Sequence, residues 1–154
     1  MLRPARPEDA DAVAAVLIES RRTFLPFAPS AHTEGEVRGW VRDVLIPGGS
    51  VVVYEEGGTV LGVLSTSVDA EASWIDQLYV LPGHTSQGIG GRLLQLARDS
   101  LELPIRLYTF QQNSGARRFY ERHGFRAIKL TDGQGNEEKC PDVLFELAAP
   151  QAEA

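Results

Sequence analysis

With 154 residues and a formal net charge of −6, the chain is sized for one domain with a sizeable core, and it lacks the cationic excess with which nucleic-acid surfaces displace counterions. Its single cysteine, Cys140, excludes an internal disulfide and a cysteine-built metal cluster, while the acidic balance suits cationic ligands or simply solubility. Met1 to Ala10 carries charges and prolines with no apolar run behind a basic start, and no stretch is long and apolar enough to span a bilayer, so the chain reads as cytoplasmic.

Leu2 to Ala5 predicts a short edge strand, and Arg-Pro-Glu-Asp-Ala then supplies a proline and acids suited to a first helical turn. Val13, Val16, Leu17, Ser20 and Phe24 recur at helical spacing up to the Pro26 and Pro29 breakers. Thr33 and Glu36 form a capping box for a second helix with Val37, Trp40, Val41 and Val44 on its inner face, closed by Pro47-Gly48-Gly49. Ser50 to Glu55 and Thr59 to Val68, separated by Glu56-Gly57-Gly58, read as a hairpin. Trp74 to Val80 is the next strand, and Pro104 to Thr109 a strand parallel to it across a helix. A helix opening at Asn113 follows. Phe125 to Leu130 and Val143 to Leu147 predict a closing antiparallel pair joined by a long Thr131 to Asp142 excursion, and residues 149 to 154 a frayed tail. This order gives one α/β domain over residues 1 to 148, a mixed sheet of about six to seven strands with flanking helices.

The segment LYVLPGHTSQGIGGRLL, Leu78 to Leu94, reads as strand, glycine loop and helix, with Leu93, Leu94, Ala97 and Leu101 on one helical face. Helix-start N–H groups have no intrahelical partner and carry the positive end of the dipole, so a loop that glycines keep bare can receive a phosphate. Ordinary tight turns also collect glycines. The spacing fits neither a P-loop nor a full dinucleotide fingerprint.

A second segment, NSGARRFYERHGF from Asn113 to Phe125, narrows the choice. Together the two resemble the GNAT superfamily of acetyl-coenzyme A-dependent N-acetyltransferases, and the resemblance covers most of the chain. The family's cofactor loop, Arg or Gln, any, any, Gly, any, Gly or Ala, falls on Thr85, Ser86, Gln87, Gly88, Ile89 and Gly90, and departs from the pattern at Thr85. The second segment matches at Asn113, Ala116, Phe119-Tyr120 and Gly124-Phe125. The resemblance implies that the strands flanking the crossover helix splay apart, that the pantetheine arm enters between them, and that the backbone of Leu78, Tyr79 and Val80 bonds that arm and polarises the thioester. It implies further that the 85 to 90 loop with Gly91 cradles the pyrophosphate, and that Tyr120 protonates the departing thiolate. A phenol of pKa about 10 does this only modestly uphill against a thiol of about 8.5. On the residues alone, Phe119 and Tyr120 could equally be the apolar face of a helix.

Asn113 can bond the cofactor arm, as the resemblance suggests, or cap its own helix. Arg117 and Arg118 can meet phosphates or face solvent, and Arg92 in a helical first turn favours a bound anion. Asp76, preceding the cofactor strand and sharing parity with Trp74 and Leu78, is the choice for general base; Glu55, Glu56 or a water relay are alternatives. Glu137 and Glu138, in the excursion that the family sets beside its acceptor site, could select a cationic amine or form a solvated turn. His32, His84 and His123 lack metal spacing, so no metal is expected; His123 stabilises a helix end, and His84 adjoins the loop. Trp40 and Trp74 read as core. The expected activity is acetyl transfer from acetyl-CoA to a primary amine, small molecule or peptide, by direct attack. The alternative is a non-catalytic acyl-CoA-binding module, motivated by Thr85 and by strain if Ser86 needs φ > 0. No nucleic-acid or membrane partner is expected, and a homodimer is left open.

Overall fold

The computed structural model describes residues 1–28 and 31–149. Strands β1 (Leu2–Pro4), β2 (Val51–Glu56), β3 (Thr59–Val68), β4 (Ser73–Val80), β5 (Ile105–Phe110), β6 (Arg126–Leu130) and β7 (Asp142–Leu147) form one seven-stranded sheet in the order β1-β2-β3-β4-β5-β7-β6. All pairs are antiparallel except β4 with β5. The helices are α1 (Ala10–Phe24), α2 (Glu34–Trp40), α3 (Ile89–Ser100) and α4 (Ser114–Arg122). The fold is thus the mixed α/β sheet expected from the sequence. No helix among the described residues is long and apolar enough to cross a membrane.

Two cores lie on opposite faces. On one, Val13, Val16 and Leu17 of α1 pack with Val41 and Ile46 against Val51, Val53 and Val63; on the other, Ile89, Leu93, Leu94 and Ala97 of α3 pack with Tyr120, Phe125 and Phe145 against Leu64, Ile75 and Leu107. Leu101, the C-cap just beyond α3, packs against the same core as Leu93, Leu94 and Ala97. The β2–β3 hairpin turns on Gly57 and Gly58, both at positive φ (58° and 83°), the primed geometry that matches strand twist. Gly62 has a different job. A Cβ there would stand 2.9 Å from both Ile89 Cγ2 and Leu93 Cδ1, so only glycine lets α3 lie this close to β3.

The capping box at Thr33 forms reciprocally, Glu36 N–H to Thr33 Oγ1 and Thr33 N–H to Glu36 Oε1, both 3.1 Å. The inner face expected of this helix is only half right. After Trp40 the chain makes a π turn over Val41–Leu45, with Ile46 N–H bonding Val41 C=O. Val41 is buried as expected, but Trp40 before the turn and Val44 within it face out, and the extra residue brings Ile46 rather than Val44 into the core. Of the tail, all but Ala149 lies outside the described residues, as does the Pro29 breaker.

Candidate active site

β4 and β5 pair only at Ser73↔Ile105 and Trp74↔Arg106 and then diverge, which is the splay expected of the crossover. A cavity of about 430 Å³ occupies the wedge and passes through the sheet. Ser20, Phe24 and Leu25 wall it from α1, Leu78 to Val80 from β4, and Phe119 and Tyr120 from α4. The small residues Gly115 and Ala116 leave room at the start of α4. Leu81 N–H bonds Leu61 C=O, so strand alternation directs the peptide groups of Tyr79 to β3 and those of Leu78 and Val80 to the open wedge. Ser20 Oγ donates to Val80 C=O at 3.1 Å, engaging one of these groups and tying α1 to the strand.

Gly88 caps α3 in the left-handed region (φ 78°), and a Cβ there would meet no atom within 4 Å. The helix's first bond runs from Arg92 N–H to Gly88 C=O, so the amides of Ile89, Gly90 and Gly91 precede the ladder with no intrahelical acceptor. Gly90 lies against the Phe119 ring and lines the cavity with Thr85, joining the amide cradle to the wedge. Ser86 and Gln87 are exposed, and Ser86 is not at positive φ, so the strain considered for it does not arise. His84 Nδ1 pairs with Gln87 Oε1 at 3.2 Å within the loop.

Tyr120 is 7% exposed, its ring edge-on to Phe125 and Phe119, and it lines the cavity. Burial, with the neighbouring Tyr79 phenol, raises its pKa well above the ordinary tyrosine value, so it is protonated throughout the neutral range. Asn113 caps its own helix, Oδ1 accepting from Ala116 N–H at 3.2 Å, and it also lines the cavity. The arginines fall differently. Arg117 donates to its own chain's Gln111 C=O and does not line the cavity, Arg118 is exposed, and Arg92 bonds Tyr54 Oη at 3.2 Å with its guanidinium over that ring. Arg122, which the sequence did not single out, reaches the cavity wall.

Asp76 sits on a β-bulge, where Ser65↔Gln77 is followed by Thr66↔Ile75. The extra residue breaks the parity expected to link Asp76 to Leu78: Ile75 and Leu78 face the α3 core, whereas Tyr79 turns to the α1 side. Asp76 nevertheless lines the wedge cavity, and although the residue is exposed, partial desolvation raises its carboxyl pKa against an opposing hydrogen bond from Ser67. Glu55 is committed elsewhere, paired with Arg3 at 2.5 Å.

On the α1 side lie two further chambers. One, about 530 Å³, is lined by Arg21, His32, Glu36, Trp40, Gln77, Tyr79, Glu137 and Glu138; the other, about 810 Å³, by Asp76, Tyr79, Tyr108, Lys129, Asp132 and Glu138 among others. Glu138 pairs with Arg21 at 3.5 Å and Glu137 with His32 at 3.0 Å, so the excursion, although Glu137 stays exposed, is tied to α1 and to the approach to α2. Glu137, with Glu36 behind it, holds the His32 pKa above its usual value. Asn136 braces the excursion from within, Nδ2 bonding Cys140 C=O at 2.7 Å and Asp142 Oδ2 at 3.1 Å. The tryptophans are not core. Trp40 walls a chamber at 40% exposure, and half-buried Trp74 stacks on Tyr108 while its Nε1 donates to Asp69.

The family model for the GNAT acetyltransferase domain matches residues 47–127, more than half of the chain. The chain belongs to the GNAT family. Its fold is similar to that of a GNAT-family acetyltransferase from Bacillus cereus (TM-score 0.75, 16% identity, 98% of each chain covered). It is also similar to apo YjaB from Escherichia coli (TM-score 0.76, 18% identity, 97% of this chain and 98% of that one). A third similar structure is the PaiA N-acetyltransferase from Thermoplasma acidophilum in complex with coenzyme A (TM-score 0.71, 22% identity, 97% and 98% covered). No curated protein matches the chain. The match spans the β2–β3 hairpin, the wedge strand β4, the glycine loop, β5 and α4, so it covers the cavity described above except for its wall from α1 and Leu25.

Proposed function

We propose that this GNAT domain is an N-acetyltransferase that moves the acetyl group of acetyl-CoA to a primary amine by direct attack. The observation that carries the reading is the through-sheet cavity: bare helix-start amides stand at one end, and a buried, protonated phenol stands in its wall. The amides of Ile89, Gly90 and Gly91 suit the pyrophosphate, with Thr85, Ser86 and Gln87 forming the loop around it. Leu78 and Val80 offer strand-like bonds to the pantetheine arm, and an N–H held there in advance stabilises charge developing on the thioester oxygen. Asn113 bonds the arm while capping α4. Arg117 serves by bracing the α4 start through Gln111, not by a phosphate contact.

Tyr120 supplies the proton to the leaving thiolate, for which its protonated state and its place in the wedge suit it. Asp76 lines the same cavity as an exposed carboxylate whose pKa is raised by partial desolvation, which makes it one route for the amine's proton. The acceptor enters from the α1 side. Glu36, Glu137 and Glu138 outnumber Arg21 and His32 around the first chamber, which favours cationic amines. Cationic and neutral amines of equal length, compared by coenzyme A release, test this preference; equal KM for both would remove Glu137 and Glu138 from recognition.

The alternative of a non-catalytic acyl-CoA module rests on Thr85, since the family's usual Arg or Gln would add a charge-assisted or amide bond there. Binding itself is tested by thermal unfolding: a ligand at a hundredfold excess over Kd stabilises the native state by about 2.7 kcal/mol. No shift with millimolar acetyl-CoA would refute both readings.

A further inference from the structure

Among the described residues, Tyr79 is the only one that lines the cofactor cavity and both chambers on the α1 side. The bulge at Asp76 puts it there, because the inserted residue turns the next side chains over and aims Tyr79 at α1. Arg21 of α1 and Glu138 of the β6–β7 excursion line both of these chambers with Tyr79, and the two pair with each other at 3.5 Å. Among the described residues Glu138 is the carboxylate that lines both chambers with this phenol, and Tyr120 of α4 shares the wedge cavity with it. Glu36, Glu137 and His32 face the first chamber; Asp76, Asp132 and Lys129 face the second.

Burial raises the Tyr79 pKa more than Arg21 lowers it, so the group is a neutral phenol at physiological pH. A neutral phenol cannot serve as a free-standing base. It can accept a proton only while handing its own on, and the Arg21–Glu138 pair gives that proton somewhere to go.

We propose that Tyr79 is a catalytic residue of the transfer, whose phenol oxygen takes a proton from the attacking nitrogen as its own proton passes, directly or over one water, to Glu138. One N–H bond and one phenol O–H bond break; a new phenol O–H and a carboxylic O–H form. The tyrosine ends unchanged, and Glu138, with 19% of its side chain exposed, returns the proton to solvent. Arg21 is the positioning residue, holding the phenol and offsetting negative charge that builds on its oxygen during the passage. The inference rests on the transferase reading above.

The test is Tyr79→Phe, which keeps the ring between the chambers and deletes the relay. At saturating amine, kcat should fall by roughly 10²–10³, within the range of a positioned proton-transfer group, with KM for acetyl-CoA unchanged. The lost rate should return as pH rises and hydroxide takes over the proton. Glu138→Gln should cost a similar factor, and the double variant no more than either alone, because both changes cut one path. Wild-type kcat in Tyr79→Phe, multiplying losses in the double variant, or a pH response altered by Asp76→Asn but not by Tyr79→Phe would each overturn the proposal. A wild-type protein that acetylates no amine would refute the transferase reading and this relay together. Turnover with an unaffected Tyr79→Phe variant would refute the relay alone.

Discussion

Replacing Tyr120 by Phe separates chemistry from packing, because the structure assigns the ring and the hydroxyl to different work. The ring contacts Phe119, Phe125 and Phe145 with centroids 5.2, 5.6 and 6.1 Å away, and all three contacts survive in phenylalanine. No hydrogen bond described in the structure ends on the Tyr120 hydroxyl, so its deletion leaves no orphaned partner and should move stability by less than about 1 kcal/mol. The kinetic consequence is of another order. A positioned proton donor contributes about 10²–10⁴ to rate, or about 2.7–5.4 kcal/mol of activation free energy, and the variant must expel a thiolate without one. Steady-state coenzyme A release with a productive amine reads kcat, and acetyl-CoA titration by thermal shift reads affinity. The expected result is a large fall in kcat with unchanged affinity and melting temperature. Because the phenol is held protonated, the wild-type pH–rate profile should also show no limb from Tyr120 below about pH 10. A folded Tyr120→Phe protein with wild-type kcat would refute the assignment.

Gly88→Val should abolish the acetyl-CoA thermal shift, since a branched side chain is strained at φ 78° and would stand over the helix-start amides; normal binding by a folded variant would mean that the anion lies elsewhere. Gly62→Ala places a methyl 2.9 Å from Ile89 and Leu93, and should cost about 1–3 kcal/mol in urea unfolding as α3 is pushed from β3. Arg3 holds the Asp9 carboxyl below the usual carboxylate range. A depressed folded pKa contributes stability above the unfolded value of about 3.9 and loses it as pH falls through the folded one, so the penalty of Asp9→Asn should be larger at neutral pH than near pH 2. An equal penalty at both pH values would show that the ion pair is not the source.

The sheet, the Thr33 capping box, the hairpin turn, the crossover and the wedge were legible because each rests on local chemistry: β-branched runs, a Thr-x-x-Glu cap, paired glycines, and two family segments in the right order. What escaped were irregularities of one residue. The π turn after Trp40 and the bulge at Asp76 each shift the phase of all that follows, and periodicity has no means of seeing an inserted residue. The bulge hid the direction of the Tyr79 side chain, since the resemblance concerned only that residue's backbone. Pairing is the rest: the sequence offers Arg92 an anion, Arg117 phosphates or solvent, and Glu137 and Glu138 an amine or solvent, whereas Arg92, Glu137 and Glu138 meet partners far away in sequence and Arg117 the carbonyl of Gln111. One signal could have been used. A glycine inside a strand pattern, Gly62, marks the close approach of another element, and that element is the cofactor helix.

The central claim is that the wedge brings acetyl-CoA and an amine together for direct transfer. Its most direct test is to incubate the protein with acetyl-labelled acetyl-CoA and a panel of primary amines, measuring free coenzyme A thiol and labelled N-acetyl product in the same samples. The account predicts that, for at least one amine, the two appear in one-to-one ratio and both depend on that amine's concentration. A protein that is stabilised by acetyl-CoA yet releases coenzyme A with no amine, or releases it only as free acetate forms, would contradict it.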